Sequence, residues 1–336
     1  MRRYLLTRLA LTAPLLLLLL TATFLLLRVA PGDPVTVALG DRASAERIEQ
    51  VKESLGLNEP LWRQYTDYLS GAFRGDFGRA ISTGTPVWTT IRDRFPATLE
   101  LTLASLLVAL AIGIPFGVLS AVHRDTVLDH VSRLLGVGGV AMPSFWTGLL
   151  LLYVFFYLLG VAPAPLGRIA ADVPPPTRIL GLYVVDALLT VNGPAFVSSL
   201  HHLMLPALTL GFAVMAPLTR MVRATMLEIL ESEYVTAAWA AGLPRRRVIY
   251  GDALRNALIP VITLLGVIVG FLMAGNVVVE MVFAWPGLGH YAVTSLMTKD
   301  PGPIQSFVLF VAVMYVFVNL AVDLLYSLAD PRIRLR

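Results

Sequence analysis

Few side chains in this sequence could carry covalent or metal chemistry, and they are dispersed. It contains no cysteine, which excludes disulfides, thiolate metal sites and cysteine nucleophiles. The histidines His123, His130, His201, His202 and His290 open no H-E-x-x-H zinc helix, and no G-x-S-x-G nucleophile turn occurs. Only Lys52 and Lys299 represent lysine, and neither follows a glycine. The G-x-x-x-x-G-K-[ST] loop that cradles nucleotide phosphates is therefore missing. No catalytic, cofactor-binding or metal-ligating residue is assigned. What remains are ionisable groups placed against long apolar runs (Glu280, Asp323) and the arginine run Arg245-Arg246-Arg247.

Those apolar runs set the class. Of 336 residues, 57% are hydrophobic and 14% charged, with mean hydropathy +0.74; a soluble domain carries about 25% charged residues. Lipid is the solvent this implies. A bilayer core needs roughly 20 mainly apolar residues per helix, and six stretches qualify: 9–29, 98–122, 134–160, 203–224, 257–282 and 304–326. The third reads as the cleanest, with Leu149 to Leu159 uncharged. The stretch 179–191 is too short to span and contains Asp186; it is expected at the interface or packed on the outer face. The first run follows Met1-Arg2-Arg3 like a signal peptide. No A-x-A site ends it, and it continues to Arg28, so a retained helix is expected.

Arginines give the orientation. With the N-terminus inside, segments 1–8, 123–133, 219–256 and 327–336 hold fourteen arginines, against Arg168, Arg178 and Lys299 in the short outer loops. The positive-inside rule then places both termini in the cytoplasm; the long outer segment 31–96 falls outside that rule. The expected fold is an all-α membrane protein: first transmembrane helix (1–30), small helical extracytoplasmic cap (31–96), core of five transmembrane helices (97–326) with cytoplasmic loop 225–256, and a cytoplasmic tail (327–336). Within the cap, Ile48, Val51 and Leu55 recur at helical spacing before Gly56. Pro60 opens a second helix with Leu61, Tyr65, Tyr68 and Leu69 on one face.

The most informative stretch runs from Glu233 to Val248. Gly242 should close one short helix and Pro244 open the next, a tight helix–turn–helix. Ala237, Ala238 and Ala241 give the first helix a small, smooth face suited to another protein's groove. On the residues alone, an ordinary cytoplasmic loop is equally open. Arg245, Arg246 and Arg247 stand in the first turn of a helix, where the macrodipole disfavours cations. Lipid headgroups or acidic groups of a partner would compensate them.

The stretch resembles the EAA loop of bacterial ABC importer permeases, and more narrowly that of the peptide/nickel branch, whose pattern continues through Ala253-Leu254-Arg255-Asn256-Ala257-Leu258-Ile259-Pro260. Other stretches match that branch in order: Arg28-Val29-Ala30-Pro31-Gly32-Asp33-Pro34, Leu55-Gly56-Leu57-Asn58, Gly75-Asp76-Phe77-Gly78, Glu280 to Gly289, Asn319 to Tyr326 and Asp330-Pro331-Arg332. Trp239, Ala241 and Asp252 depart from it, since basic residues and a histidine are usual there. The resemblance implies a transmembrane permease subunit forming half of a pathway for peptides or similar small solutes. Glu233, Tyr234, Ala237, Ala238, Gly242, Leu243 and Arg246 would dock on the ATPase. It also implies a second homologous permease, two ABC ATPase subunits that carry ATP-Mg, and an extracytoplasmic substrate-binding protein. Membrane lipid is a further partner; nucleic acid is not expected.

Gly266, Gly270 and Ala274 lie at four-residue spacing, which lets helix backbones approach closely, within this chain or against the partner permease. Asn276 and Glu280 share a face one turn apart. Counted from Ala257 at 1.5 Å per residue, Glu280 falls about 35 Å along, at the outer interface. It reads as an outer gate, a binding-protein contact or a solvated helix end. Asp323 is expected to pair with Arg332 or Arg334. The alternative function is an ion-coupled secondary transporter, a class marked by discontinuous helices and paired mid-bilayer charges. A membrane-embedded enzyme would need a nucleophile, base or metal set that the sequence does not show.

Overall fold

The computed structural model describes residues 2–29, 32–40, 43–275 and 277–329. Among the described residues the chain is helical, without a β-strand. The helices are α1 (Arg2–Val29), α2 (Pro34–Leu39), α3 (Ala45–Ser54), α4 (Leu61–Arg74), α5 (Val87–Val122), α6 (Val127–Ala141) and α7 (Ser144–Leu151). They continue with α8 (Tyr183–Leu189), α9 (Gly193–Leu230), α10 (Glu233–Ala240), α11 (Arg245–Arg247), α12 (Leu254–Gly275), α13 (Val277–Val282), α14 (Leu288–Met297) and α15 (Pro301–Ala329). π-Helical turns at Leu152–Leu158 and Val248–Ala253 extend α7 and join α11 to α12.

Among the described residues, five helical stretches are long and apolar enough to cross a membrane: Thr12–Val29, Val87–Val122, Gly193–Leu230, Arg245–Met273 and Pro301–Val322. The expected third span, 134–160, is not one continuous helix. A proline ring crowds the residue before it out of helical conformation; accordingly Met142 is extended (φ −87°, ψ 123°) and α6 ends there. Pro143 then caps α7. The apolar helix that follows, Ser144–Leu158, rises about 22 Å at 1.5 Å per residue, short of a bilayer core of about 30 Å.

The chain divides into two compact units. One comprises residues 1–98 and 286–317. Its sequence-expected helices form: Ser44 caps α3, accepting from Arg47 N–H at 3.2 Å, and Gly56, the expected stop, takes φ +64°. Pro60 caps α4, and Gly75 ends it in the left-handed region. Tyr65 and Tyr68 pack on Phe24 of α1, with centroids at 5.3 and 5.8 Å, whereas Leu61, at the start of the same helix, is exposed. The Asp-Pro pair does further work as a helix start: Asp33 caps α2 and pairs with Lys52 at 2.8 Å. A separate apolar cluster gathers Ala80, Val87, Ile91, Leu288 and Tyr291.

The second unit comprises residues 99–285 and 318–335. Its hub is α9, against which α6, α7, α8, α12 and α13 pack. A window of α9 is 67% buried, against 17% for the first apolar helix and 6% for the last. Glycine makes a close approach possible: a Cβ on Gly117 of α5 would lie 2.7 Å from Val222 Cβ of α9, the small-residue seam of membrane helices. The marginal stretch 179–191 becomes α8. Its Asp186 is buried and accepts from the N–H groups of Ile179, Leu180 and Gly181 at 3.2, 2.8 and 2.8 Å. An acid in an apolar stretch is thereby accounted for by capping the backbone that precedes it.

Candidate functional site: the helix–turn–helix at 233–256

The loop forms as its local chemistry dictates. Ser232 is extended (ψ 153°), and α10 starts beside it. At the other end, Leu243 N–H reaches Ala238 O at 3.2 Å and Gly242 N–H reaches Trp239 O at 3.0 Å. That pair of bonds is the Schellman stop, which needs a left-handed residue at its turn; Gly242 supplies it with φ +76°. Pro244 then opens α11, which the turn Val248–Ala253 carries into α12.

Val235 of α10 is fully buried, and Asn256 of α12 donates to the Tyr234 hydroxyl at 3.1 Å. The rest faces outward. Glu233, Tyr234, Ala237, Ala240, Ala241 and Gly242 are exposed, and Ala238 and Leu243 half-buried. Trp239 is also exposed. Glu233, Tyr234, Ala237 and Ala238 thus lie on α10, Gly242 and Leu243 in the turn that ends it, and Arg246 on α11. Arg245, Arg246 and Arg247 are all exposed and open to partners of either kind considered above.

The other nominated residues do not join this group. A Cβ on Gly266 would meet Val322 Cγ2 at 3.0 Å, so its close approach is to α15 within the chain. Gly270 is buried in α12. Glu280 is fully buried on α13, which overturns the solvated helix end. Asn276, Arg332 and Arg334 lie outside the described residues, as does the Asp323 side chain.

Two ion-pair clusters were not visible in the sequence. Asp129 of α6 is fully buried and accepts from Arg223 of α9 through Nε (2.7 Å) and Nη2 (2.8 Å), from Asp125 N–H (3.1 Å) and from the Ser120 hydroxyl. The Arg223 guanidinium, foremost, holds the Asp129 carboxyl well below the usual carboxylate range. Close by in sequence, Arg124 pairs with Glu231 at 3.0 Å, at the entry to α10. The second cluster joins Glu100 of α5 to Arg168, both buried. Arg168 Nε donates to Glu100 at 3.1 Å and Nη2 to Gly181 O at 2.9 Å, while Val184 N–H donates to the other Glu100 oxygen at 2.8 Å. The guanidinium lies 3.7 Å over the Tyr183 ring and 5.7 Å from that of Trp285. The only signals for these were isolated acids (Asp129 four residues before Arg133, Glu100 at the head of an apolar run), with partners 94 and 68 residues away.

A cleft of about 850 Å³ opens between the Met142–Pro143 turn, α9 and α12. Pro217, Leu264, Val267 and Phe271 make its walls apolar, and Arg220 is its one charged lining residue. This face of α12 is not the face that Gly266 presents to α15.

Comparison with known proteins agrees along the whole chain. Residues 113–335 match the family described as binding-protein-dependent transport system inner membrane component, and residues 1–102 match the N-terminal membrane component of the same systems. A probable D,D-dipeptide transport system permease protein of Escherichia coli (strain K12) is 46% identical over 311 residues, 93% of this chain and 91% of that protein. The dipeptide transport system permease protein of the same strain is 40% identical over 337 residues, 99% of each chain. An oligopeptide transport system permease protein of Bacillus subtilis (strain 168) is 38% identical over 334 residues, again 99% of each. Nothing in these relatives favours the ion-coupled alternative. The chain belongs to the family of inner-membrane components of binding-protein-dependent transport systems.

Proposed function

We propose that this chain is one of two permease subunits of an ATP-driven importer of short peptides. The observation that carries the reading is the exposed, Schellman-stopped helix α10 in a chain whose relatives are named as dipeptide and oligopeptide permeases. Loop 225–256 docks on ATPase subunits, which bind and hydrolyse ATP-Mg; the chain itself binds no cofactor. The hydrogen bond from Asn256 to Tyr234 links α10 to α12, a path by which movement of the docked loop would reach the membrane core. The chain crosses the bilayer six times with both termini cytoplasmic, the third crossing made by Ser144–Leu158 together with the Met142–Pro143 turn. Segment 31–96 is the extracytoplasmic cap, where a substrate-binding protein delivers solute. The apolar cleft beside α12 faces the second permease and the pathway.

The test is uptake into proteoliposomes. Dipeptide should accumulate only when the second permease, the ATPases, the binding protein and ATP are all present. Uptake by the chain alone, driven by a proton or sodium gradient, would refute the reading.

A further inference from the structure

Several motif residues of the cap have no part in coupling to an ATPase, yet they converge. In the unit of residues 1–98 and 286–317, four buried polar atoms without a hydrogen-bond partner line one cavity of about 210 Å³: Arg28 Nε, Gln64 Oε1, Tyr68 Oη and Asp300 Oδ1. The motif residues Leu55, Gly56, Leu57, Phe77 and Gly78 stand in its wall.

Each of the four is held in place by something else. Gln64 Nε2 donates to Leu57 O (3.0 Å) and Glu59 O (2.7 Å), which leaves Oε1 as the free acceptor. Asp300 is fully buried; its Oδ2 accepts from Ser82 N–H (3.0 Å) and the Ser82 hydroxyl (3.1 Å), the N–H groups of Ile81 and Gly302 also bear on the carboxylate, and Oδ1 is left without a partner at full hydrogen-bond geometry. Phe24 supports the other two, with the Arg28 guanidinium 5.2 Å over its ring and the Tyr68 ring stacked at 5.8 Å. Buried polar groups without partners are costly, so four at one cavity point to an occupant.

Their chemistry describes it. Two acceptors, one of them a carboxylate oxygen, call for a cation rich in N–H; one N–H donor and one hydroxyl call for an acceptor beside it. The volume equals that of about seven liquid waters at roughly 30 Å³ each, enough for the end of a small peptide. A second cavity of about 180 Å³ continues it, sharing Asp67, Tyr68, Phe77 and Gln305 and adding Asp76. The exposed Leu55 and Asp67 in the wall open the first cavity to the surface of this unit. Along the groove three carboxylates (Asp67, Asp76, Asp300) face two guanidiniums (Arg28, Arg79), a balance that favours a cationic end.

We propose that this groove binds the amino-terminal end of a short peptide. The ammonium donates to Asp300 Oδ1 and Gln64 Oε1, while a peptide carbonyl or the terminal carboxylate accepts from Arg28 Nε–H and the Tyr68 hydroxyl. The cap is then a solute site of its own, outside the apolar cleft. This rests on the chain being a peptide importer subunit with 31–96 outside.

The experiment is equilibrium dialysis of glycyl-alanine and N-acetyl-glycyl-alanine against the assembled permease–ATPase complex in nanodiscs, without binding protein. Glycyl-alanine should bind and its acetylated form bind at least about tenfold more weakly, because acetylation removes the charged donor. Asp300→Asn should also lose about tenfold. Tyr68→Phe removes only an unpartnered hydroxyl; it should weaken binding severalfold with unchanged thermal unfolding, which covers the case in which Asp300→Asn fails to fold. Absence of binding, or equal binding by the wild type and Tyr68→Phe, overturns the proposal and leaves the cavity to water. ATP-driven uptake measured on the same complex with binding protein added separates the two readings: normal uptake without dialysis binding removes the groove and leaves the importer.

Discussion

Arg223 grips Asp129 with both arms of its fork, Nε to Oδ1 at 2.7 Å and Nη2 to Oδ2 at 2.8 Å. The contact fastens α6 to α9 seven residues before α9 ends at Leu230. With Ser120 as a further donor to Asp129, three helices meet at one carboxylate. The same segment continues into α10, so the base on which the exposed helix stands is an ion pair, backed by Arg124 and Glu231.

Removing that carboxylate should loosen the base. Asp129→Ala leaves Arg223 and Ser120 without their acceptor and should cost about 2 kcal/mol of stability at neutral pH. The Asp129 carboxyl is depressed in the folded protein, so its contribution is fully present above the ordinary carboxylate value of about 3.9 and is lost as pH falls through the folded value. Thermal unfolding of purified wild type and variant should therefore differ by a constant amount from neutral pH to about pH 5 and converge in stronger acid. A gap that widens on acidification would contradict the pairing.

Arg168 and Glu100 provide a sharper case, since both are buried. Arg168→Ala strands the Glu100 carboxylate and should cost about 3–5 kcal/mol. Arg168→Lys keeps the charge but loses the forked geometry and the stacking over Tyr183, so it should recover only part of the loss. The double variant Glu100→Gln/Arg168→Met should be more stable than Arg168→Ala alone, because no charge is left unpaired. Denaturation midpoints of the detergent-solubilised chain decide the order.

What could be read from the sequence was local. Gly56, Gly75, Gly242, Pro60 and Pro244 all punctuate helices as their backbone preferences require, and the short helices of the cap and the loop follow from them. Pro143 carried the same kind of signal. It was outweighed by the apolar run Leu149–Leu159, although the restriction on Met142 ends the helix whatever the hydropathy. Asp129–Arg223 and Glu100–Arg168 were illegible for another reason. Their partners are brought together only when α9 packs, and no local periodicity marks an acid for a partner 94 residues on. For Glu280 only the solvated helix end failed, because a count along a helix gives depth and says nothing of what covers the side chain.

Orientation can be tested directly, since no native cysteine interferes. In intact cells, Ser44→Cys and Ala171→Cys, both at exposed positions, should react with an impermeant thiol reagent. Ala241→Cys, exposed at the end of α10, should react only after permeabilisation. Labelling of Ala241→Cys from outside would reverse the arginine argument and remove α10 from the side on which ATP is available.

The proposed docking role of α10 can be tested on a surface whose replacement should leave the fold intact. Gly242 has φ +76°, and a Cβ there would meet no atom within 4 Å. Gly242→Ala therefore pays only a left-handed backbone cost of about 1 kcal/mol. Gly242→Asp adds an acid at no greater conformational cost, since Asp tolerates the left-handed region better than Ala, so the pair separates strain from surface chemistry. Ala241→Trp enlarges an exposed position without touching Val235, the buried anchor. All three should insert at normal levels. Gly242→Ala should retain most ATPase association, whereas Gly242→Asp and Ala241→Trp should lose co-purified ATPase and peptide uptake together, because each places bulk or charge in a packed contact. Ser54→Trp, exposed at the end of α3 in the other unit, is the control and should bind ATPase normally. Should Gly242→Asp and Ala241→Trp co-purify with ATPase and transport at wild-type rates, 233–248 is an ordinary loop, and the energy must enter the chain elsewhere.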